Sequence, residues 1–540
     1  MPTHISALFT AAIATLLLVG CYGDDDDQSC GQGGLDNVTL SGEITYDFVT
    51  HNDNGSLNYN DIERRAIRGA TVELLDRNGN VSDTTTTNES GAYSFSAPSN
   101  TALRTRVKAE LRQNGTPAWN IRITDNTEGD ALYTMEGSLA CTTTSDQVRD
   151  LHAGSGWTGS EYGSARVAAP FAILDSVYQA LQLLVDTDPD IQLSPVELRW
   201  STRNRAVSGS ASQGNIGTSS YNGENIHILG DADNDTDEFD RSIIQHEFAH
   251  YLEDTISRSD TIGGRHSQIT RTDMRVSFSE GLANAFTAIA SGSGIYEDSL
   301  GTEQSGGFRI SLESNSIANF GWYSENSTGL IVYDIYDSTN DGDDTLSLGF
   351  TPIYDALTSS DYRTGIALTS IYSFTSALRD NVSSNAQSEL TTLIESQEIY
   401  GNDALGSNET NDGELSYTLP IYHSLSIGGG ALNLCSSAVG ERYNGFDVRR
   451  FATLEIDSND NYVLRAEKTS GTGDSDPDIL VHQSGALIAQ LISGNIDSEE
   501  AEVSLSAGSY IVEFFDADNV SSSTTAVLSC FDLSINTGNN

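Results

Sequence analysis

At 540 residues the chain is long enough for several domains. Its 77 acidic residues against 27 basic ones give a formal net charge of −50, which excludes a nucleic-acid binder or a protein held by charge to anionic lipid. Such a surface suits a monomer kept soluble in salty surroundings, where the charge is screened.

Residues 5–20 form an apolar run too short for a comfortable membrane span, and it reads as a targeting segment. It ends in Leu18-Val19-Gly20-Cys21, which resembles the lipobox of bacterial lipoproteins. The resemblance implies cleavage before Cys21, with residues 1–20 as signal peptide and lipid on Cys21. Tyr22 is not the aspartate that retains lipoproteins at the inner membrane, so the implied location is the outer membrane, facing periplasm or exterior. The lipid would be the only membrane contact. Residues 21–36, with the run Asp24 to Asp27, read as an acidic tether.

Residues 37–137 read as β-structure. Alternation near 38–48 is followed by Ala70-Thr71-Val72-Glu73-Leu74-Leu75, the turn Asp76-Arg77-Asn78-Gly79, and Ala92-Tyr93-Ser94-Phe95. The pattern resembles the transthyretin-like or carboxypeptidase-regulatory β-sandwich, a spacer or docking module.

Residues 142–405 mix helices and strands. A helix is predicted over 171–185 behind Pro170, with strands over 196–200 and 225–229. Residues 231–240 are densely acidic, a solvated loop for which calcium is the alternative; residues 341–344 read the same way. A helix then follows over 241–254, with Asp240 as N-cap and Ile244, Phe248, Tyr251 and Leu252 as its apolar stripe. His246, Glu247 and His250 lie opposite, in the pattern H-E-x-x-H. Histidines four apart share one helix face and can bind one zinc ion, with the adjacent glutamate as general base on a zinc-bound water.

A catalytic zinc takes a third protein ligand. Glu280 is the candidate, on a second helix whose apolar side is Phe278, Leu282, Phe286 and Ile289 and whose polar side is Glu280 and Asn284. The two stretches HEFAHYLED and FSEGLANAF resemble the gluzincin group of zinc metallopeptidases, to which thermolysin belongs. The resemblance implies zinc on His246, His250 and Glu280, Glu247 as base, and Asn284 where thermolysin-like enzymes have an aspartate that orients a zinc histidine. Those enzymes also stabilise the oxyanion with Tyr or His. Tyr333, Tyr323 and His266 are the candidates, Tyr333 within an apolar helix predicted over 328–336. Further helices are predicted over 364–379 and 388–397, together forming a second lobe.

Residues 406–430 read as a linker ending in Gly428-Gly429-Gly430, and residues 431–540 as β-structure that resembles the bacterial pre-peptidase C-terminal domain. Every candidate catalytic residue precedes Gly430, so this module is expected to be separable. Cys30, Cys141, Cys435 and Cys530 allow three disulfide pairings. Cys435–Cys530 is preferred, clamping the C-terminal module, with Cys30–Cys141 stapling the N-terminal one.

The expected fold is thus multidomain: an α+β zincin catalytic domain flanked by two β-sandwich modules. The expected function is a lipid-anchored zinc metallopeptidase acting on polypeptide. A non-catalytic surface binder on a degenerate zincin scaffold, or a zinc hydrolase of a non-peptide bond, are the alternatives. Glu247 argues against the first, because a pure binder has no use for a general base.

Overall fold

The structure is a computed structural model that describes residue 30 and residues 36–313, 319–339, 345–439, 441–521 and 527–538. The signal peptide, Cys21, nearly all of the tether and the acidic residues 341–344 lie outside the described residues. Among the described residues, no helix is long and apolar enough to cross a membrane. The chain is rich in β-structure. It divides into two compact units: one runs up to Tyr251 and takes back Glu297–Ile310, the other holds Leu252–Tyr296 and Ser311–Asn540.

The first unit begins with β1 (Asn37–His51), β2 (Leu57–Ala66), β3 (Ala70–Asp76), β4 (Val81–Thr86), β5 (Ala92–Pro98), β6 (Ala102–Gln113) and β7 (Trp119–Asp125). Strict alternation buries Val38, Leu40, Ile44 and Tyr46 on one face of β1. β1 pairs antiparallel with β2 and β5, and parallel with Gln147–Val148 and Leu151–Ala153. A second, larger sheet runs Ser220–Tyr221, Ile226–Ile228, Val196–Trp200, β7, β6, β3, β4. Val196–Trp200 pairs parallel with β7, so strands on both sides of residue 137 share one sheet. The connection is α1 (Ala169–Thr187), which has Pro at its start as predicted and buries Phe171, Ile173, Leu174, Val177, Leu181 and Leu184.

The second unit holds α3 (Met274–Ser291) and α4 (Glu325–Tyr336). α3 is buried on nearly every side, because Ala283, Ala285, Ala288 and Ala290 leave room for close neighbours. At Gly281 a Cβ would collide with Thr328 and the backbone of Gly329, so only glycine lets α4 approach this closely. The helix predicted over 364–379 is shorter: Ser370 and Ser373 form a capping box that starts it at Ile371–Asp380, and Ser360–Thr364 is a separate turn.

The C-terminal residues form two facing sheets. Tyr422–Leu425, Arg449–Ile456, Gly508–Asp516, Pro477–Gln483 and Ala486–Leu491 make one; Leu432–Ser436, Ser529–Thr537, Asp460–Ser470 and Ser498–Leu505 make the other. Their core includes Leu454, Leu464, Ile479, Val512, Phe514 and Leu533. Tyr422–Leu425, within the stretch read as linker, is a parallel partner of Arg449–Ile456. The exposed glycine run therefore connects two strands of the sandwich, and Gly428 N–H donates to the Ile535 carbonyl. Both disulfides are those preferred from the sequence, Cys30–Cys141 and Cys435–Cys530. Cys435 and Cys530 sit opposite each other in neighbouring strands.

Candidate metal centre

α2 (Arg241–Ile256) extends two residues beyond the predicted helix. Ile244, Phe248, Tyr251 and Leu252 are buried as the periodicity requires. In the first unit α2 is tied to α1 by Gln245 Nε2, which donates to the Ser176 carbonyl at 3.0 Å. Asp240, just before the helix, spends its carboxylate on other elements: Oδ1 accepts from His51 Nε2 at 2.5 Å and Oδ2 from the Ser299 hydroxyl at 2.7 Å.

His246 is buried and His250 half-buried on α2. Their Nε2 atoms face each other at 3.2 Å, with the rings nearly perpendicular, at 86°. Two imidazole nitrogens this close share either one proton or one ion. Tetrahedral zinc with ligand nitrogens at ~2.0–2.1 Å places two of them about 3.3 Å apart. The pair therefore fits a zinc ion. Glu247, beside them, is held by its backbone neighbour: Oε2 accepts from the Tyr221 N–H at 2.7 Å. That contact comes from Ser220–Tyr221, a short strand at the sheet edge beyond Ile226–Ile228. The sequence pattern gives the strand over 225–229 but not Ser220–Tyr221, because two residues carry no periodic signal.

The last turn of α2 belongs to the second unit. There Glu253 accepts from the Ser279 hydroxyl at 2.6 Å, which fixes α3 against that last turn one residue before Glu280. Glu280 is buried, at 7% exposure. His266 reaches it from the preceding loop: Nε2 lies 3.3 Å from Glu280 Oε2, and Nδ1 lies 2.8 Å from Glu325 Oε2. Asn284 follows one turn later on α3, half-buried. Of the three oxyanion candidates, His266 is thus beside Glu280. Tyr333 donates its hydroxyl to Glu313 at 3.0 Å, and burial, then Glu313, pushes its pKa up. Tyr323 donates to Asn411 at 3.1 Å.

The acidic stretch over 231–240 divides. Asp237 and Asp240 meet Asp298, each offering an oxygen within 4.8 Å of the others. Burial, then the neighbouring carboxylates Asp240 and Asp235, pushes the Asp298 carboxyl up to about 9, and burial with Asp298 raises Asp237. Residues 231 and 233–234 stay more open. Asp298 joins this group from far along the chain, so no local pattern could have found it.

No protein-family profile and no curated protein sequence matches the chain. Among solved structures, the pre-peptidase C-terminal domain of a collagenase from Bacillus anthracis is similar over 21% of this chain and 95% of its own, at 18% identity and a TM-score of 0.15. Aeromonas hydrophila PliG, a periplasmic inhibitor of g-type lysozyme, is similar over 21% of this chain and 96% of its own, at 14% identity and a TM-score of 0.15. A β-glucosidase from Paenibacillus barengoltzii is similar over 68% of this chain and 39% of its own, at 8% identity and a TM-score of 0.13. At these values the likenesses carry no functional argument.

Proposed function

We propose that the chain is a zinc-dependent peptidase, with His246, His250 and Glu280 as metal ligands and Glu247 as general base. The observation that carries this reading is the 3.2 Å approach of the two Nε2 atoms on one helix face, with the Glu247 carboxylate oriented next to them. Zinc bound there would supply a Lewis acid and a water acidic enough to ionise near neutrality. The protein's own groups do the rest. Glu247 accepts the water proton and returns it to the leaving amine; the Tyr221 N–H holds its Oε2 in place for both transfers. His266 holds the Glu280 carboxylate through Nε2 and is itself held by Glu325. The zincin-type α+β core and the polypeptide substrate belong to the same proposal.

Lipid attachment at Cys21 and an outer-membrane location are proposed with it. Two disulfides suit an oxidising compartment. The test of function is metal content together with cleavage of an unbiased peptide library. One zinc per chain is expected, lost in a His246→Ala/His250→Ala double variant. A chain that binds zinc but cleaves no peptide would move the activity to another bond.

A further inference from the structure

The loop and helix that present His266 and Glu280 are held from the C-terminal sandwich, inside the second unit. Thr272 forms a bridge with Gly445. The Asp273 N–H donates to the Asn444 carbonyl at 2.7 Å, and the Phe446 N–H to the Arg271 carbonyl at 3.2 Å. The Asn444 amide also donates to the Gly263 and Arg265 carbonyls, each at 3.0 Å, and the Tyr443 hydroxyl donates to Ile262 at 3.0 Å. Gly264 has a φ of +104°, and a Cβ there would lie 2.8 Å from Asn444 Nδ2. Residues 443–446 thus serve as the template on which 262–273 is laid.

Behind this seam lies Arg275, in the first turn of α3 and 2% exposed. Its guanidinium forks onto Asp273 at 2.8 and 2.9 Å and onto Glu513 at 3.0 and 3.2 Å. Glu513 is 1% exposed, in the middle strand Gly508–Asp516. It also takes Arg449 at 2.7 Å and His482 Nε2 at 2.9 Å, one from each neighbouring strand. Burial works against both charges. The Asp273 and Glu513 carboxylates nevertheless hold Arg275 well above its ordinary range, and Arg275, His482 and Arg449 hold Glu513 well below its own.

Apolar contact alone would hold a sandwich against a helix without fixing the helix's rotation. Two planar forks on one guanidinium do fix it. Arg275 and Glu280 are five residues apart on α3, so they point to different sides of the helix. Setting the azimuth of one sets the azimuth of the other.

We infer that the C-terminal sandwich is the support of the loop and helix that carry His266 and Glu280 and not a separable appendage, and that Arg275, Glu513 and Asn444 are positioning residues for Glu280 and His266. This rests on the zinc reading above. The test uses the full chain and zinc itself, with affinity read by chelator competition and ligand geometry by the visible spectrum of the cobalt-substituted protein. Glu513→Gln and Asn444→Ala should each weaken zinc about tenfold or more and shift the cobalt bands. Leu464→Ala, in the sandwich core away from the seam, should lower the thermal midpoint and leave zinc affinity unchanged. Wild-type affinity in both seam variants overturns the inference. If Glu513→Gln does not fold, Asn444→Ala, which leaves the buried ion network intact, decides alone. A wild-type chain that binds no zinc would defeat the zinc reading instead, and is told apart by that result.

Discussion

Glu247 Oε2 is fixed by the backbone N–H of Tyr221. Glu247→Gln keeps the shape and the Tyr221 contact but cannot take a proton. It should retain zinc and lose about 10²–10⁴-fold in turnover, and an unimpaired variant would assign proton transfer elsewhere. Asp298 makes a different prediction. Its folded pKa, about 9, lies above the ordinary value of 3.8, so the native state holds this proton longer than the unfolded chain. Stability is therefore lost as pH rises from the ordinary carboxylate range through about 9. Asp298→Asn, compared with the wild type in chelator, should stabilise the fold at pH 8 by about 1 kcal/mol or more, read as a higher thermal midpoint, and do little near pH 4. A midpoint gain equal at both pH values would show that burial of the charge is not the cause. At this scale the motif residues were legible, since His246, Glu247 and His250 owe their grouping to helix pitch alone. His266 is a candidate in the sequence, but its place between Glu280 and Glu325 comes from tertiary packing, as do those of Tyr221 and Asp298, which nothing local marks.

The elements follow the same division. α1, α2 and α3 were predicted because their apolar residues recur at helical spacing over four or more turns. Ser220–Tyr221 and Tyr422–Leu425 are too short to show a period, and pairing with a neighbour creates them. The helix Phe350–Thr358 was missed as well: it follows Gly349 with no side-chain cap, so no start signal precedes it. Gly281 tests how α3 and α4 fit. Alanine in place of glycine ordinarily stabilises a helix by ~0.5–1 kcal/mol. Here the new Cβ would meet the Glu325 carbonyl at 2.6 Å and the Gly329 nitrogen at 2.7 Å, both backbone. The clash should win, and Gly281→Ala should destabilise by about 1–3 kcal/mol in thermal unfolding. A stabilised variant would mean the helices separate at little cost.

Across the whole molecule, the net charge of −50 sets the response to salt. Self-repulsion opposes compaction and is screened as ionic strength rises, so the thermal midpoint should climb between roughly 0.05 and 1 M sodium chloride. A flat response would mean that the charges are already paired locally. The Cys435–Cys530 bridge spans 95 residues and contributes up to ~4–5 kcal/mol in the chain-entropy picture; a Cys435→Ser/Cys530→Ser variant should unfold at lower denaturant by that measure. The sequence pattern pointed to several β-rich regions and to a preferred cysteine pairing among three, which the structure has. It did not show that strands on both sides of residue 137 share a sheet, because parallel partners are specified by long connections that leave no local trace.

That sharing has a consequence for synthesis. β7 is complete when residue 125 leaves the ribosome, but its parallel neighbour Val196–Trp200 has not yet been made. At ordinary elongation rates the gap is roughly 4–15 s. Until it closes, β7 carries an unpaired strand edge beside Ile121 and Ile123, both buried in the finished protein. Whether residues emerge from the ribosome or, on the lipoprotein reading, from an export channel in the same order, β7 stays open to another strand until residue 200 is through.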